Sequence, residues 1–140
     1  MFERYNEKAR RVIFSARYEA SEFGTPQIEV EHLLLGVLGE DRELRNRFLP
    51  TYRTVESVRR EVEEHLPVVP PIPATDDPPL SLACKRVLAY TVEEADHHGN
   101  QSIEPGHLLA GILRENDSFA AGWLWRRGVR LEAVRKTLGV

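Results

Sequence analysis

The chain contains one helical sequence unit twice, and this internal repeat limits its possible folds more than any other feature. Shifting the sequence against itself by 75 positions gives 12 identities over the 34 pairs that begin at positions 5–38, where unrelated segments would give roughly two or three. The identical pairs are Arg11/Arg86, Val12/Val87, Glu19/Glu94, Ala20/Ala95, Gly24/Gly99, Ile28/Ile103, Glu29/Glu104, His32/His107, Leu33/Leu108, Leu34/Leu109, Gly36/Gly111 and Leu38/Leu113. With one residue inserted, positions 56–59 also match positions 132–135. Because two copies are too few for a solenoid, we expect a pseudo-symmetric pair that shares one core.

Each copy opens with the apolar spacing of an amphipathic helix. Apolar residues between positions 9 and 23 recur on one helical face. Asn6 is placed to cap this helix and Gly24 to end it. Ser81 and Gly99 hold the same two positions in the second copy. The pattern therefore predicts one long helix at the start of each copy.

The second helix of each copy is apolar on all sides. Segments 33–38 and 108–113 contain almost no polar residue, which is typical of a buried helix. Gly36 and Gly111 lie inside these segments, where glycine costs about 1 kcal/mol relative to alanine. Their recurrence in both copies indicates a close helix–helix approach. Shorter helices follow in each copy, at about 44–49 and 55–66 in the first and 119–125 and 131–138 in the second.

A proline-rich segment separates the two copies. Positions 67–79 contain six prolines among thirteen residues, which cannot propagate a helix and favour an extended, semi-rigid linker. We therefore expect a single all-α domain over residues 1–140, with repeat one at 1–66, the linker at 67–79 and repeat two at 80–140. Each repeat should contribute four helices.

Composition argues against several classes of protein. The net charge is −3 and the pI is near 6, which opposes a nucleic-acid binder with a basic face. No apolar run is long enough to span a bilayer. The N-terminus lacks a signal peptide, and a single cysteine suits a reducing compartment. We expect a cytoplasmic monomer that binds neither membrane nor nucleic acid.

The sequence shows no set of residues that would form an active site. It has no nucleophile elbow and no phosphate-binding glycine loop, so we expect neither catalysis nor a cofactor. His97 and His98 are adjacent and face different sides of a helix, which argues against a metal site. Cys84 aligns with Ala9 and is expected to be a small buried residue. A small hydrolase remains only a remote alternative.

Three segments resemble a known family. These are the N-terminal segment 1–12 and the two repeat-equivalent segments Ile-Glu-Val-Glu-His-Leu-Leu-Leu-Gly (28–36) and Ile-Glu-Pro-Gly-His-Leu-Leu-Ala-Gly (103–111). The resemblance is to the Clp repeat domain at the N-terminus of ClpC-like unfoldases, without the ATPase modules, and it covers essentially the whole chain. It implies two pseudo-symmetric four-helix repeats that dock adaptors or substrates in protein quality control and regulated proteolysis.

The resemblance also implies a possible ligand. ClpC-like members accept arginine-phosphorylated proteins at one site per repeat, through the acidic residue of a Thr-Glu-His motif. The first copy keeps that residue as Glu31 but has Val30 in place of the threonine. In the second copy the two positions are Pro105 and Gly106, so the acidic residue is missing. Any such recognition is therefore expected at the first repeat only.

The candidate contacts fall into two groups. Those proposed to meet a ligand or partner are Glu31, Val30, Glu29, Asn6, Phe2 and Trp125. Those proposed as the structural repeat motif are His32, Gly36, His107 and Gly111. Two interpretations of Glu29 and Glu31 stay open, because carboxylates at a helix N-terminus also stabilise the helix dipole. For the whole chain, the main alternative is a stand-alone regulator that competes with or docks to a Clp unfoldase.

Overall fold

Eight α-helices form in the part of the chain described by the computed structural model, residues 2–72 and 78–139. Four lie before the linker and four after it, with no strand among the described residues, so the predicted all-α fold is confirmed. The helices are α1 (Glu7–Phe23), α2 (Val30–Glu40), α3 (Arg42–Phe48), α4 (Val55–His65), α5 (Leu82–His97), α6 (Pro105–Arg114), α7 (Phe119–Arg126) and α8 (Leu131–Thr137).

The ends of the long helices α1 and α5 follow the predicted capping pattern. The Asn6 side chain accepts a hydrogen bond from the Ala9 amide at 2.8 Å. The Ser81 hydroxyl accepts one from the Cys84 amide at 3.1 Å. Gly24 and Gly99 both adopt a φ of 71°, which glycine tolerates without strain.

The central helices α2 and α6 pack closely against α1 and α5, and glycine permits this approach. A Cβ atom added to Gly36 would lie 2.7 Å from the carbonyl oxygen of Val12. One added to Gly111 would lie 2.8 Å from that of Val87. Val12 and Val87 are themselves repeat-equivalent, so the same backbone contact is made twice.

Two isolated backbone bridges link the repeats, and in each of them a residue of one repeat pairs with a residue of the other. Residue Tyr5, before α1, pairs with Ile103, before α6, while Leu80, before α5, pairs with Ile28, before α2. A shift of 75 positions converts one pair into the other. Each repeat thus pairs with the loop of the other, as expected for a pseudo-twofold arrangement.

Each repeat also ties its first helix to its last through a buried carboxylate. Glu19 accepts hydrogen bonds from Arg59, and Glu94 accepts them from Arg135 at 2.9 and 2.8 Å. A second repeated ion pair joins Arg11 to Glu40 and Arg86 to Glu115. The identities at these positions therefore mark ion pairs that the sequence analysis did not predict.

Helix α4 carries charges of both signs at positions 56–65, a pattern typical of a solvated helix face. Several of these side chains nevertheless contact other helices. Glu61 accepts hydrogen bonds from Trp123 of α7 and from Arg127, the residue that follows α7. Arg127 also donates to the Tyr52 hydroxyl at 2.8 Å. These residues join the two repeats because a partly buried charge needs a partner.

The start of the linker lies against the end of α1. The Val69 amide donates to the Phe23 carbonyl and the Ile72 amide to the Ser21 carbonyl, both at 3.1 Å. A side chain at Gly24 would collide with Val69 and Pro70. The predicted extended linker includes positions 73–77, which lie outside the described residues.

Candidate functional site

The loop–helix junctions that begin α2 and α6 share one local geometry. The Glu29 amide donates a hydrogen bond to Nδ1 of His32 at 2.9 Å. In repeat two, the Glu104 amide donates to Nδ1 of His107 at 3.0 Å. Each histidine therefore satisfies one of the free amides at its helix N-terminus. Because Nδ1 accepts, the neutral ring carries its proton on Nε2.

The two histidines are fully buried but differ at Nε2. The ring of His32 packs edge-on against Phe23, with centroids 5.2 Å apart, and its Nε2 has no hydrogen-bond partner among the described residues. In repeat two the side-chain amide of Asn100 lies 3.0 Å from Nε2 of His107. With the amide turned so that Oδ1 faces the ring, Asn100 accepts the Nε2 proton. Burial lowers the pKa of each imidazole to about 4. Both rings are therefore neutral near pH 7 and serve as helix caps.

Glu31 is the charged candidate on α2, and most of its side chain is covered. Only 13% of the side chain is exposed, and Nε2 of His65 lies 3.4 Å from its carboxylate. The His65 ring in turn stacks on Phe119 of repeat two, with centroids 3.8 Å apart. Burial raises the pKa of the Glu31 carboxyl, and a backbone hydrogen bond and His65 oppose that rise. His65 therefore covers part of the Glu31 carboxylate.

The equivalent position in repeat two is closed. A Cβ atom on Gly106 would lie 2.7 Å from Cδ2 of Leu138, which follows α8. The second junction therefore lacks an equivalent of Glu31 and has an apolar side chain over the place where it would stand. The carboxylate that remains there belongs to Glu104, whose Oε1 would lie 3.9 Å from the same Cβ position. Glu104, the N-terminal cap residue of α6, lies outside the helix at φ −119° and ψ 169°.

The other predicted contacts at α2 differ in access. Val30 is 2% exposed and belongs to the core, so its side chain offers a partner almost no surface in this structure. Glu29 is half-buried and accepts a hydrogen bond from the Gln27 side-chain amide at 3.0 Å. Glu29 and Glu31 are therefore the partly exposed members of this group.

Asn6 lies beside repeat two, and Phe2 lies next to it in the segment before α1. The Asn6 amide donates to the Ile103 carbonyl at 2.8 Å. The partly buried Phe2 ring packs edge-on against Tyr5, whose backbone pairs with Ile103. The predicted contacts before α1 therefore lie near the loop before α6, whereas those at the start of α2 lie at the other junction.

Trp125 is the most exposed of the predicted contacts, with 59% of its surface accessible. It projects from the end of α7 into a groove of about 670 Å³. Sequence reasoning identified this side chain but missed the groove, whose other residues come from α5, α6, the rest of α7, the start of α8 and the loops between them. The only available signal was the contrast between buried Trp123 and its neighbour two positions on.

The remaining reactive side chains are poorly placed for chemistry. Cys84 is buried, and burial raises the pKa of its thiol to about 12, so the reactive thiolate is scarce at neutral pH. Within residues 2–72 and 78–139, no group of three or more histidine, cysteine, aspartate or glutamate side chains could hold a metal ion. None of the helices in those ranges is long and apolar enough to cross a membrane.

Two equivalent halves with exchanged bridges and buried capping histidines define an all-α double-repeat domain. The chain matches the family described as the Clp repeat (R) N-terminal domain over residues 4–126 and again over residues 88–139. It belongs to this family, and the second match falls on repeat two.

Known relatives agree with this assignment. The chain is 34% identical over 136 residues to an ATP-dependent Clp protease ATP-binding subunit ClpA homolog of Porphyra purpurea, covering 96% of the chain and 16% of that protein. It is 35% identical to the chloroplastic chaperone protein ClpC1 of Arabidopsis thaliana, covering 96% of the chain and 14% of that protein. The chain thus spans about a sixth of the length of these relatives.

Solved structures show the same architecture. The N-terminal domain of the caseinolytic protease associated chaperone ClpD from Arabidopsis thaliana superimposes with a TM-score of 0.78 at 28% identity, covering 99% of this chain and 94% of that one. The Hsp104 N-terminal domain from Candida albicans gives a TM-score of 0.73 at 16% identity, with 97% and 89% covered. This second likeness concerns the fold alone.

Proposed function

We propose that this chain is a non-catalytic protein-interaction module that binds adaptors or substrates in protein quality control and regulated proteolysis. The observation that carries the proposal is its membership of the Clp repeat family over both repeats. Exposed aromatic side chains, Phe14 and Tyr18 on α1 and Trp125 on α7, support it, because such residues often anchor protein contacts. The neutral capping histidines and the buried thiol of Cys84 are consistent with a role other than catalysis.

The single cysteine suits a reducing compartment and supports a cytoplasmic location for this binding. The relative ClpC1 of Arabidopsis thaliana is described as chloroplastic. We take the binding unit to be one domain over residues 1–140, acting as a monomer. No nucleic acid, membrane or cofactor is part of the proposal.

Site-specific photo-crosslinking in the native cell tests this function. A photoreactive amino acid is placed at Tyr18 or Trp125 and, as a matched control, at the exposed Glu7 of α1. We expect defined protein adducts at the aromatic positions that are absent at Glu7. Adducts with a Clp unfoldase itself would favour the alternative of a docking regulator. The same adducts at all three positions would contradict a specific interaction surface.

Arginine-phosphate recognition, if retained, belongs to repeat one. A guanidinium needs an acceptor carboxylate, and the charge-assisted contact is among the stronger polar interactions. Glu31 offers one behind a displaceable His65, whereas Gly106 offers none and is covered by Leu138. This difference supports one ligand site per chain.

Titration with free phosphoarginine, followed by amide NMR shifts, tests this assignment. We expect shifts clustered at residues 28–34 that Glu31→Ala abolishes with the fold intact. Unmodified arginine and inorganic phosphate serve as control ligands. Equal shifts at residues 103–109, or no shift at millimolar phosphoarginine, would show that the assignment is wrong.

A further inference from the structure

The groove beside Trp125 has the size and the lining of a peptide site. We call it the α7 groove and define it by Tyr90, Leu113, Gly122, Trp125, Arg126 and Val129. Its volume of about 670 Å³ lies within the range of ordinary ligand pockets. Two aromatic side chains lie in its lining, and Leu113 and Val129 give it an apolar surface. These features suit one or two large apolar side chains of a bound segment.

The backbone of α7 is open to close approach inside this groove. A Cβ atom on Gly122 would meet only the Arg126 guanidinium, at 3.3 Å. A bound segment can therefore lie against the helix surface next to Trp125. The repeat-equivalent position in α3 is Arg47, and the equivalent of Tyr90 is Ser15. Repeat one thus lacks the side chains that shape this groove.

The rim supplies positive charge that the protein itself leaves unneutralised. Arg126 and Arg130 form no ion pair among the described residues, whereas Arg114 is paired with Glu93 and Glu94. This local basic rim contrasts with a chain whose net charge is −3. A carboxylate on a partner would complement it, although Glu132 also lines the groove and limits the attraction.

Trp125 is held in place before any partner arrives. The Arg130 guanidinium lies 3.4 Å from the centre of the Trp125 ring. The same guanidinium donates to the Trp125 carbonyl at 2.8 Å. An exposed ring fixed in this way loses little conformational entropy when a partner binds. The exposed aromatic surface is therefore preorganised for contact.

We propose that the α7 groove binds a linear segment of a partner protein in which an aromatic side chain is flanked by aspartate or glutamate. The aromatic side chain packs between Trp125 and Tyr90, and a flanking carboxylate pairs with Arg126. This inference rests on the proposed interaction function but concerns a surface separate from Glu31.

Capped heptapeptides with a central phenylalanine test the groove, one flanked by aspartates and its analogue flanked by lysines. The two tryptophan indole N–H signals provide the readout, because Trp123 bonds to Glu61 while Trp125 is exposed. We expect the acidic peptide to shift the Trp125 indole signal and the Tyr90 amide. The lysine peptide should shift neither, and added salt should weaken the acidic complex.

Charge reversal at matched positions makes the test specific. Arg126→Glu should weaken the acidic peptide by about tenfold or more and let the lysine peptide bind. Arg47→Glu, the same change on an exposed arginine of α3 in repeat one, should leave binding unchanged. Trp125→Ala should also abolish the acidic peptide's effect on the Tyr90 amide.

Three outcomes would overturn the proposal. They are equal binding of both peptides, equal loss in the Arg126→Glu and Arg47→Glu variants, or no shift at millimolar acidic peptide. The phosphoarginine signals at residues 28–34 are separate from these signals. Failure at the α7 groove can therefore be distinguished from failure at repeat one.

Discussion

The junctions before α2 and α6 have the same backbone geometry but different surfaces. Both use a histidine Nδ1 to accept the amide of the preceding glutamate. One residue earlier than the histidine, however, repeat one has Glu31 and repeat two has Gly106 beneath Leu138. Residues that are identical in the two repeats therefore maintain the fold, whereas residues that differ between the repeats give the two junctions different surfaces.

The largest expected effect is a loss of stability at low pH, caused by the histidine cap that both junctions share. Both histidines have pKa values near 4 in the folded state, below the ordinary value of about 6.5 for an unfolded chain. The unfolded state therefore binds more protons as pH falls from 6.5 towards 4, and stability is lost in that window. Linkage gives a loss of about 2 kcal/mol per histidine at pH 5, and therefore about 4 kcal/mol for the two histidines together.

Histidine-selective NMR titration and urea unfolding at pH 7 and pH 5 check this prediction. Each ring should stay neutral down to about pH 5 in the folded protein. A histidine at either junction that titrates near its unfolded value would break the equivalence of the two caps.

The next largest effect comes from the buried carboxylates Glu94 and Glu19. Their removal should cost more free energy of unfolding in repeat two than in repeat one. Glu94 contacts two arginines, Arg135 and Arg114, and its side chain is 1% exposed; Glu19 contacts Arg59. Removing one partner of a buried ion pair leaves an uncompensated charge. We expect Glu94→Gln to lower the free energy of unfolding by about 3 kcal/mol and Glu19→Gln by about 2, since the arginines remain partly solvated.

Urea unfolding at pH 7 measures both losses, with the exposed Glu7→Gln as a control that should change stability by less than about 1 kcal/mol. Hydrogen bonds from Arg135 lower the pKa of the Glu94 carboxyl. The stability from Glu94 should therefore be present above pH 4.5 and fall as pH drops through the folded pKa, and Glu94→Gln should remove this dependence. A larger loss for Glu19→Gln would reverse the ranking.

The glycine contacts predict a smaller loss that should be similar in both repeats. Gly36→Ala and Gly111→Ala each place a methyl group within 3 Å of a backbone carbonyl oxygen of the neighbouring helix. Overpacking of this kind costs about 1–3 kcal/mol. Gly39→Ala is the matched control, because its nearest contact would be Val55 at 3.5 Å.

Thermal and urea unfolding of the three variants check this prediction. The Gly39→Ala variant should be as stable as the parent or more stable, since alanine favours the helix. If all three glycines behave alike, close approach is not the reason for Gly36 and Gly111.

The smallest effect concerns access to Glu31. His65→Ala removes the ring that covers the Glu31 carboxylate and should tighten phosphoarginine binding about two- to fivefold, the scale of one weak ion pair. Calorimetry or NMR titration measures the change. An unchanged or weaker affinity would show that His65 does not compete with the ligand.

Much of the fold could be predicted from particular residues. Asn6, Ser81, Gly24 and Gly99 mark the ends of α1 and α5 because caps and left-handed turns depend on local chemistry. Ion pairs such as Glu94–Arg135 could not be predicted in the same way, since their partners are brought together by packing across the repeat. The identity of both residues with their repeat-one counterparts was the signal that could have suggested them.

The candidate site was less predictable than the fold. Exposure of Trp125 follows from helical spacing, because Trp123 and Trp125 cannot both face inward. The groove next to it needs Tyr90 and Val129, which come from distant parts of the chain. The cover over Glu31 likewise depends on His65, whose ring is positioned by stacking on Phe119 of the other repeat.

Four properties could be inferred from the sequence alone: the number of helices, their capping residues, the two buried glycines and membership of the Clp repeat family. These properties depend on short-range periodicity and on the internal repeat. The segment before the first helix of each repeat pairs with a loop of the other repeat, so that Asn6 lies beside Ile103. This pairing is visible only once the two halves are packed together. The tertiary structure also decided that Leu138 closes one junction while His65 covers the other. Such contacts depend on how the two halves pack, and no local sequence pattern specifies that packing.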